Sequence, residues 1–204
     1  MKENYFDTVA KEWNTQQRQD TNEEIKNVIL SKLTKDKPES EIKALEIGAG
    51  SGTLALLLAK HFAKIDCVDS SEGMREEFIK NKEAFSAENV NVYDEDFLDI
   101  TNEKYDLIYS NKAFHHIVDV EKELQLLKKF LAPSGKLYLM DFCTIPPAFH
   151  KNFPNFDGHN GFSKEEICNY FMNTGWKLVN YEIIKQGKKD DIKYEIFLAV
   201  GEPE

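Results

Sequence analysis

ALEIGAGSGTL, residues 44–54, decides how this chain is read. An apolar run leads into Gly48, Gly50 and Gly52 and then into a helix-forming segment. That order puts the glycines on a loop at the carboxyl end of a first strand, where ligands bind in doubly wound sheets. Glycines there permit tight backbone angles and let a ligand come close to the main chain. The spacing is GxGxG, with threonine at position 53, whereas the dinucleotide fingerprint is GxGxxG. Glu46 sits near the strand end. A carboxylate there repels a pyrophosphate and attracts an ammonium group. Both features favour a ligand without a diphosphate. Asp69 lies 21 positions after Gly48, at the end of the next apolar run, where a carboxylate can accept hydrogen bonds from both ribose hydroxyls. Any ribose-bearing cofactor suits that position. The plain alternative is a strand-to-helix turn followed by an exposed loop aspartate.

Outward from this loop, strands and helices alternate. Lys43–Ile47 reads as the first strand, 53–62 as a helix, Lys64–Val68 as the second strand and 71–85 as a helix. Strands at Val90–Tyr93 and 105–109, a helix at 120–131 and a strand at 136–142 follow, the last entered through a Pro133-Ser134-Gly135 turn. Such alternation implies a parallel sheet with helices on both faces. Upstream, residues 4–15 read as a short helix and 22–34 as a second one, capped by Thr21 with Glu24 three positions on. Downstream, 163–173 reads as a helix capped by Ser163, with Glu166 at the third position. Two strand-like runs, 176–184 and 192–200, are separated by KQGKKDD with a turn glycine, and read as an antiparallel hairpin closing one sheet edge.

The 204 residues suit one domain, divided here into an N-terminal helical cap (1–40), a cofactor-binding core (41–142), a substrate or lid loop (143–162) and a helix with a terminal hairpin (163–204). Hydrophobic residues at 41% and charged residues at 30% are those of a globular protein. The start lacks the apolar core of a secretory signal, and no apolar run approaches the ~20 residues that cross a bilayer. The net charge of −10 disfavours nucleic acid and anionic membranes as partners. Three widely spaced cysteines, Cys67, Cys143 and Cys168, indicate neither a disulfide framework nor a zinc ribbon. A reducing cytoplasm fits them best, with each read as a small buried hydrophobe.

Five segments in order resemble the class I S-adenosylmethionine-dependent methyltransferases, and most resemble small-molecule members of the ubiquinone/menaquinone-biosynthesis type. ALEIGAGSG resembles the first motif of that family, which implies glycines along the methionine half of the cofactor. CVDSSEGM resembles the second and implies Asp69 on the ribose, with Ser70 beside it and Met74 packed at the adenine. YDEDFLDI resembles the third and implies Asp96 at the adenine amino group, with Phe97 adjacent. YDLIYSNKAFHHI and LKKFLAPSGKLYLMDF resemble the fourth and fifth, with Asn111 near the methionine end. The resemblance implies an α/β, Rossmann-like, seven-stranded sheet of order 3-2-1-4-5-7-6 with strand 7 antiparallel. It implies methyl transfer from S-adenosyl-L-methionine to a small-molecule acceptor, with S-adenosyl-L-homocysteine as product. Ordinary readings stand beside it: helix packing for Met74, a solvated acid for Asp96, core for Phe97 and a structural ion pair for Glu46.

Methyl transfer from a sulfonium is an in-line displacement that works largely by alignment. A base is needed only where the acceptor must lose a proton. Tyr5, Phe6 and Trp13, the loop after strand four with His115, and Asp141 with the long segment after it are the expected pocket walls. His115, His116, His150 and His159 are the candidate bases, with His116 first and His159 second; a structural role is the alternative for each. No metal site is expected. Lys-Ala after Asn111 departs from the Pro-Pro of amino-directed nucleic-acid and glutamine methyltransferases. A non-catalytic cofactor-binding module and a nicotinamide-dependent oxidoreductase are the competing functions, and the assembly is a monomer or a homodimer.

Overall fold

Two short strands, β1 (Lys43–Ile47) and β2 (Lys64–Val68), are each buried at their last four positions. Continuous burial of this kind belongs to parallel strands covered on both faces, and it explains why these runs are apolar rather than alternating. The computed structural model describes residues 4–153 and 156–204. β3 (Val90–Tyr93), β4 (Tyr105–Asn111), β5 (Leu131–Phe142), β6 (Trp176–Lys189) and β7 (Ile192–Pro203) complete a seven-stranded sheet of order β3-β2-β1-β4-β5-β7-β6. β1 pairs with β2, and β2 with β3, in parallel; β7 runs antiparallel to β5 and β6. The strand order is the one the sequence resemblance implies.

The chain forms two compact units, one ending at Tyr105 and the other beginning at Asp106. In the first, α1 (Tyr5–Val9) gives way to a 3-10 turn at Ala10–Glu12, so residues 4–15 are not one helix. α2 (Gln16–Lys32) starts earlier than the expected 22–34. Its cap is Thr15, whose hydroxyl accepts from Arg18 N; Thr21 lies inside the helix and bonds back to Gln17 O at 2.8 Å. No glycine or proline interrupts 16–32, and the capping pattern at 21–24 is satisfied by the previous turn instead. α3 (Thr53–Leu58) is shorter than expected. Asn89 Nδ2 holds the carbonyls of Ala59 and Phe62 beyond its end, both at 2.8 Å. α4 (Glu72–Phe85) is capped by Ser71, and α5 (Phe97–Ile100) is a single turn that the sequence pattern does not mark. At the centre of this unit Asp66 is fully buried, accepting from Tyr105 Oη at 2.8 Å and pairing with Lys64 Nζ at 2.7 Å.

In the second unit α6 (Val120–Lys128) stops before the expected 131, because β5 already begins at Leu131. Pro133, Ser134 and Gly135 therefore lie within β5 rather than in a turn before it. The ladder to β7 starts only at Leu137, so the missing Pro133 N–H costs no bond to that strand. The terminal strands also extend through the KQGKKDD segment. Gly187 pairs with Tyr194 inside the hairpin, and a Cβ there would fall 2.3 Å from the tyrosine ring. Close packing, not a turn, requires this glycine. The turn is Asp190-Asp191, with Asp190 at φ 53°, a conformation that aspartate tolerates better than most residues. α7 (Lys164–Asn173) opens with the expected capping box, Ser163 and Glu166 each bonding the other's backbone N–H. Ser163→Ala removes half of that box and should cost about 1 kcal/mol. Urea unfolding should show a lower midpoint at unchanged m; an unmoved midpoint would show that the cap contributes nothing.

Candidate functional site

The glycine loop between β1 and α3 is held by its own donors. Gly48, Gly50 and Gly52 have φ of 70°, 56° and 80°, where side chains are disfavoured. At Gly52 there is also no room, since a Cβ would lie 2.5 Å from the Phe78 ring. Gly48 N and Ala49 N donate to Val68 O at 2.8 and 3.2 Å, and Gly52 N donates to Ala49 O at 3.0 Å. Gly50 N donates to Asp69 Oδ2 at 2.6 Å. A pyrophosphate cradle needs loop amides directed at the ligand. Here these four are directed into the protein.

Asp69 joins the loop to the end of β2. Its second carboxylate oxygen accepts from Ser71 N at 2.9 Å, and Arg75 Nη1 donates to its main-chain oxygen at 2.7 Å. A carboxylate has about four acceptor directions, so these two bonds leave capacity for a diol. Burial pushes the Asp69 carboxyl above its ordinary value, against the pull of the two backbone bonds. Glu46 on β1 is buried, with Cys67 Sγ 3.9 Å from Oε2. Burial first, and Glu46 second, pushes the Cys67 thiol well up, so it is no nucleophile near neutrality. Cys143 and Cys168 are only half-buried, unlike the buried positions expected of them.

The other expected cofactor residues have these places. Ser70 is exposed beside Asp69, and Met74 is buried in the first turn of α4. Asp96 is exposed just before α5. Phe97 stacks on Tyr93 with ring centroids 4.0 Å apart and planes at 6°, and its N–H donates to Asp94 O at 3.3 Å. Trp13, expected as a substrate wall, lies against the glycine loop: a Cβ on Gly50 would stand 3.5 Å from Trp13 Nε1. Phe6 meets the Trp13 ring edge-on at 5.5 Å, Tyr5 meets Phe6 at 5.8 Å, and the Arg18 guanidinium lies 3.3 Å over the indole. Two residues that the sequence reading missed connect this segment to the site. Asp7 Oδ1 accepts from Ser71 Oγ at 2.6 Å and from Gly73 N at 3.0 Å. Asn14 Oδ1 accepts from Ser51 Oγ at 2.5 Å and Thr53 Oγ1 at 3.0 Å. Neither belongs to a motif, and the only available signal was their proximity in sequence to the aromatic residues.

The second unit holds its own cluster. Asn111 ends β4, half-buried. Asp141 on β5 is fully buried and accepts from His115 Nδ1 at 2.7 Å, His115 N at 3.0 Å and Phe142 N at 2.7 Å. Bonding to an acceptor-only carboxylate fixes the proton of His115 on Nδ1. The ring of His116 stands 4.0 Å from that of His115 and 5.2 Å from Phe153. His150 stacks on Phe156 at 4.0 Å. His159 Nε2 bonds Ile117 O at 3.0 Å and His159 N donates to His115 O at 2.7 Å, so this ring ties the loop 143–162 to the turn after β4. Gly158 lets the two backbones meet, since a Cβ there would fall 2.1 Å from His115 O. Two positions of that loop, 154 and 155, lie outside the described residues. Among the described residues no group of three or more His, Cys, Asp or Glu side chains is arranged to hold a metal ion, and no helix is long and apolar enough to cross a membrane.

Comparison with known proteins matches residues 16–181 to a family model described as a methyltransferase domain. An uncharacterized methyltransferase of Schizosaccharomyces pombe is 26% identical over 177 residues, 77% of this chain and 62% of the relative. The malonyl-[acyl-carrier protein] O-methyltransferase of Priestia megaterium is 32% identical over 126 residues, 60% of this chain and 45% of the relative. The chain thus spans less than two thirds of these relatives' length. Among solved structures, a complex of the protein DhpI with SAH superposes with a TM-score of 0.72 at 16% identity, over 98% of this chain and 93% of that one; the likeness is one of fold. With four fifths of its length inside the family model and the strand order that the fold requires, the chain belongs to the methyltransferase-domain family, in its class I, Rossmann-like architecture.

Proposed function

We propose that this protein is an S-adenosylmethionine-dependent methyltransferase, one domain over residues 1–204, that methylates a small-molecule acceptor by in-line displacement. The observation that carries the reading is the bond between the Asp69 carboxylate and Gly50 N. It fixes an acid proposed to bind a diol against a glycine loop whose four amides face inward, an arrangement suited to a nucleoside bearing an amino acid rather than a diphosphate. That same feature counts against a nicotinamide cofactor. In the proposed complex Asp69 takes the ribose and Glu46 attracts the ammonium group. Gly48, Gly50 and Gly52 leave room for the methionine half, and Asn111 is assigned to the same end by the family resemblance. Asp96 takes the adenine amino group, with Ser70, Met74 and Phe97 beside it. When bound, S-adenosylmethionine supplies a methyl group already activated on a sulfonium, and S-adenosylhomocysteine remains. The chain's task is then alignment and exclusion of water.

For the acceptor side, we assign Tyr5, Phe6, His115 and Asp141 to the pocket, with His116 and His159 as its candidate proton-handling rings. Their environments divide the work. Burial first, then the neighbouring His115 and His150, pushes His116 down to about 2. A ring so disposed is neutral at working pH and accepts a hydrogen bond better than it keeps a proton. His115 has a carboxylate behind it that holds its ring in one orientation and tautomer. The net charge of −10 supports a non-nucleic-acid acceptor. A cytoplasmic location and a monomer or homodimer complete the proposal.

Calorimetry with S-adenosylhomocysteine tests the cofactor reading; no heat at millimolar ligand would sink it. Asp69→Ala should weaken binding by about tenfold or more, the loss of hydrogen bonds to a charged acceptor. Because the Asp69 carboxyl titrates above its ordinary value, wild-type affinity should fall as pH drops through that raised value, while Asp69→Ala stays flat.

His116 gives a separate expectation. The unfolded chain protonates this ring near 6.5 and the folded chain only near 2. The stability it contributes is therefore present above 6.5 and lost as pH falls below it. His116→Phe should flatten the decline in stability from pH 7 to 5, as followed by urea unfolding. An identical decline in both proteins would show that His116 is not held neutral.

A further inference from the structure

We propose that Asp7 and Asn14 are positioning residues for the cofactor, fastening the N-terminal segment 4–15 across the two halves of its site. The inference rests on the cofactor reading above and adds to it two residues outside every motif. The two catches land at different places. Asp7 holds Ser71 Oγ and Gly73 N, at 2.6 and 3.0 Å, and Ser71 N in turn bonds Asp69 Oδ1 at 2.9 Å. Asp7 thereby steadies the residue that orients the ribose acid. Asn14 holds Ser51 Oγ and Thr53 Oγ1, at 2.5 and 3.0 Å, on the far side of the glycine loop. Asn14 thereby steadies the stretch that faces the amino-acid half.

Packing shows that the segment is built for this seat. Gly73 admits it: a Cβ there would fall 2.9 Å from Asp7 Cα and 3.4 Å from Ala10 Cβ, and Ala10 is 3% exposed. Trp13 lies between the two catches, beside Gly50 and under Arg18. Asn14 turns its Oδ1 to the loop, where it accepts from both hydroxyls. An aspartate can replace it there, and an asparagine can replace Asp7, with the accepting oxygen kept in each case.

The two halves separate by ligand. S-adenosylhomocysteine carries nucleoside and amino acid; 5′-methylthioadenosine carries the nucleoside without the amino-acid end. Calorimetry of both against the full chain should show Asn14→Ala weakening S-adenosylhomocysteine about tenfold, the scale of one net hydrogen bond, with methylthioadenosine almost unchanged. Asp7→Ala should weaken both ligands by a similar factor. Asn14→Asp and Asp7→Asn should restore most of each loss. Urea midpoints on the same variants separate this pattern from general destabilisation, which would lower both ligands together in Asn14→Ala. Equal losses for the two ligands in Asn14→Ala, affinities unmoved in both alanine variants, or a wild type that takes S-adenosylhomocysteine but not methylthioadenosine would each overturn the assignment. A wild type silent to S-adenosylhomocysteine would instead overturn the cofactor reading beneath it.

Discussion

The bond from Gly50 N to the Asp69 carboxylate, at 2.6 Å, is the constraint around which the first unit is arranged. It links the loop after β1 to the tip of β2. It also takes a partly buried acid, whose ionised form the low-dielectric surroundings disfavour, and gives it two amide donors. The positive φ of Gly50 directs its N–H toward that acid. Replacing the acid would leave an amide without its acceptor and the loop without its tether to β2. Around this bond the remaining loop amides close on Val68 O and Ala49 O. The loop's shape is thus fixed by bonds within the protein.

The second unit has a comparable centre in Asp141. One carboxylate satisfies the Nδ1 and N of His115 and the N of Phe142. Buried acids are tolerated when donors surround them in this way. The arrangement fixes one histidine's tautomer while its neighbour, His116, is stripped of its charge by burial. Two adjacent rings thus have different surroundings, one bonded to a carboxylate and the other buried among rings. His159, through its ring and its backbone N–H, and Gly158, through close approach, bring the long loop against the same turn.

The sequence determined the order of the strands and those features that depend on local chemistry. β1 and β2 were legible because strands covered on both faces read as mainly apolar runs, Glu46 and Asp66 apart, and the Ser163 box because capping needs only four neighbouring residues. Glycines at 48, 50 and 52 marked the loop because only glycine takes those angles with ease. Tertiary structure decided what depends on distant partners. Thr21 lost its role as a cap to Thr15 because helix propagation carried through it, and Gly187 became a packing position because Tyr194 stands opposite. Asp7 and Asn14 carry no local signature; only folding brings them to Ser71, Ser51 and Thr53, residues 37 to 64 positions away. The difference between His115 and His116 was likewise invisible in an HH dipeptide, since only folding brings the Asp141 carboxylate to His115 and buries His116.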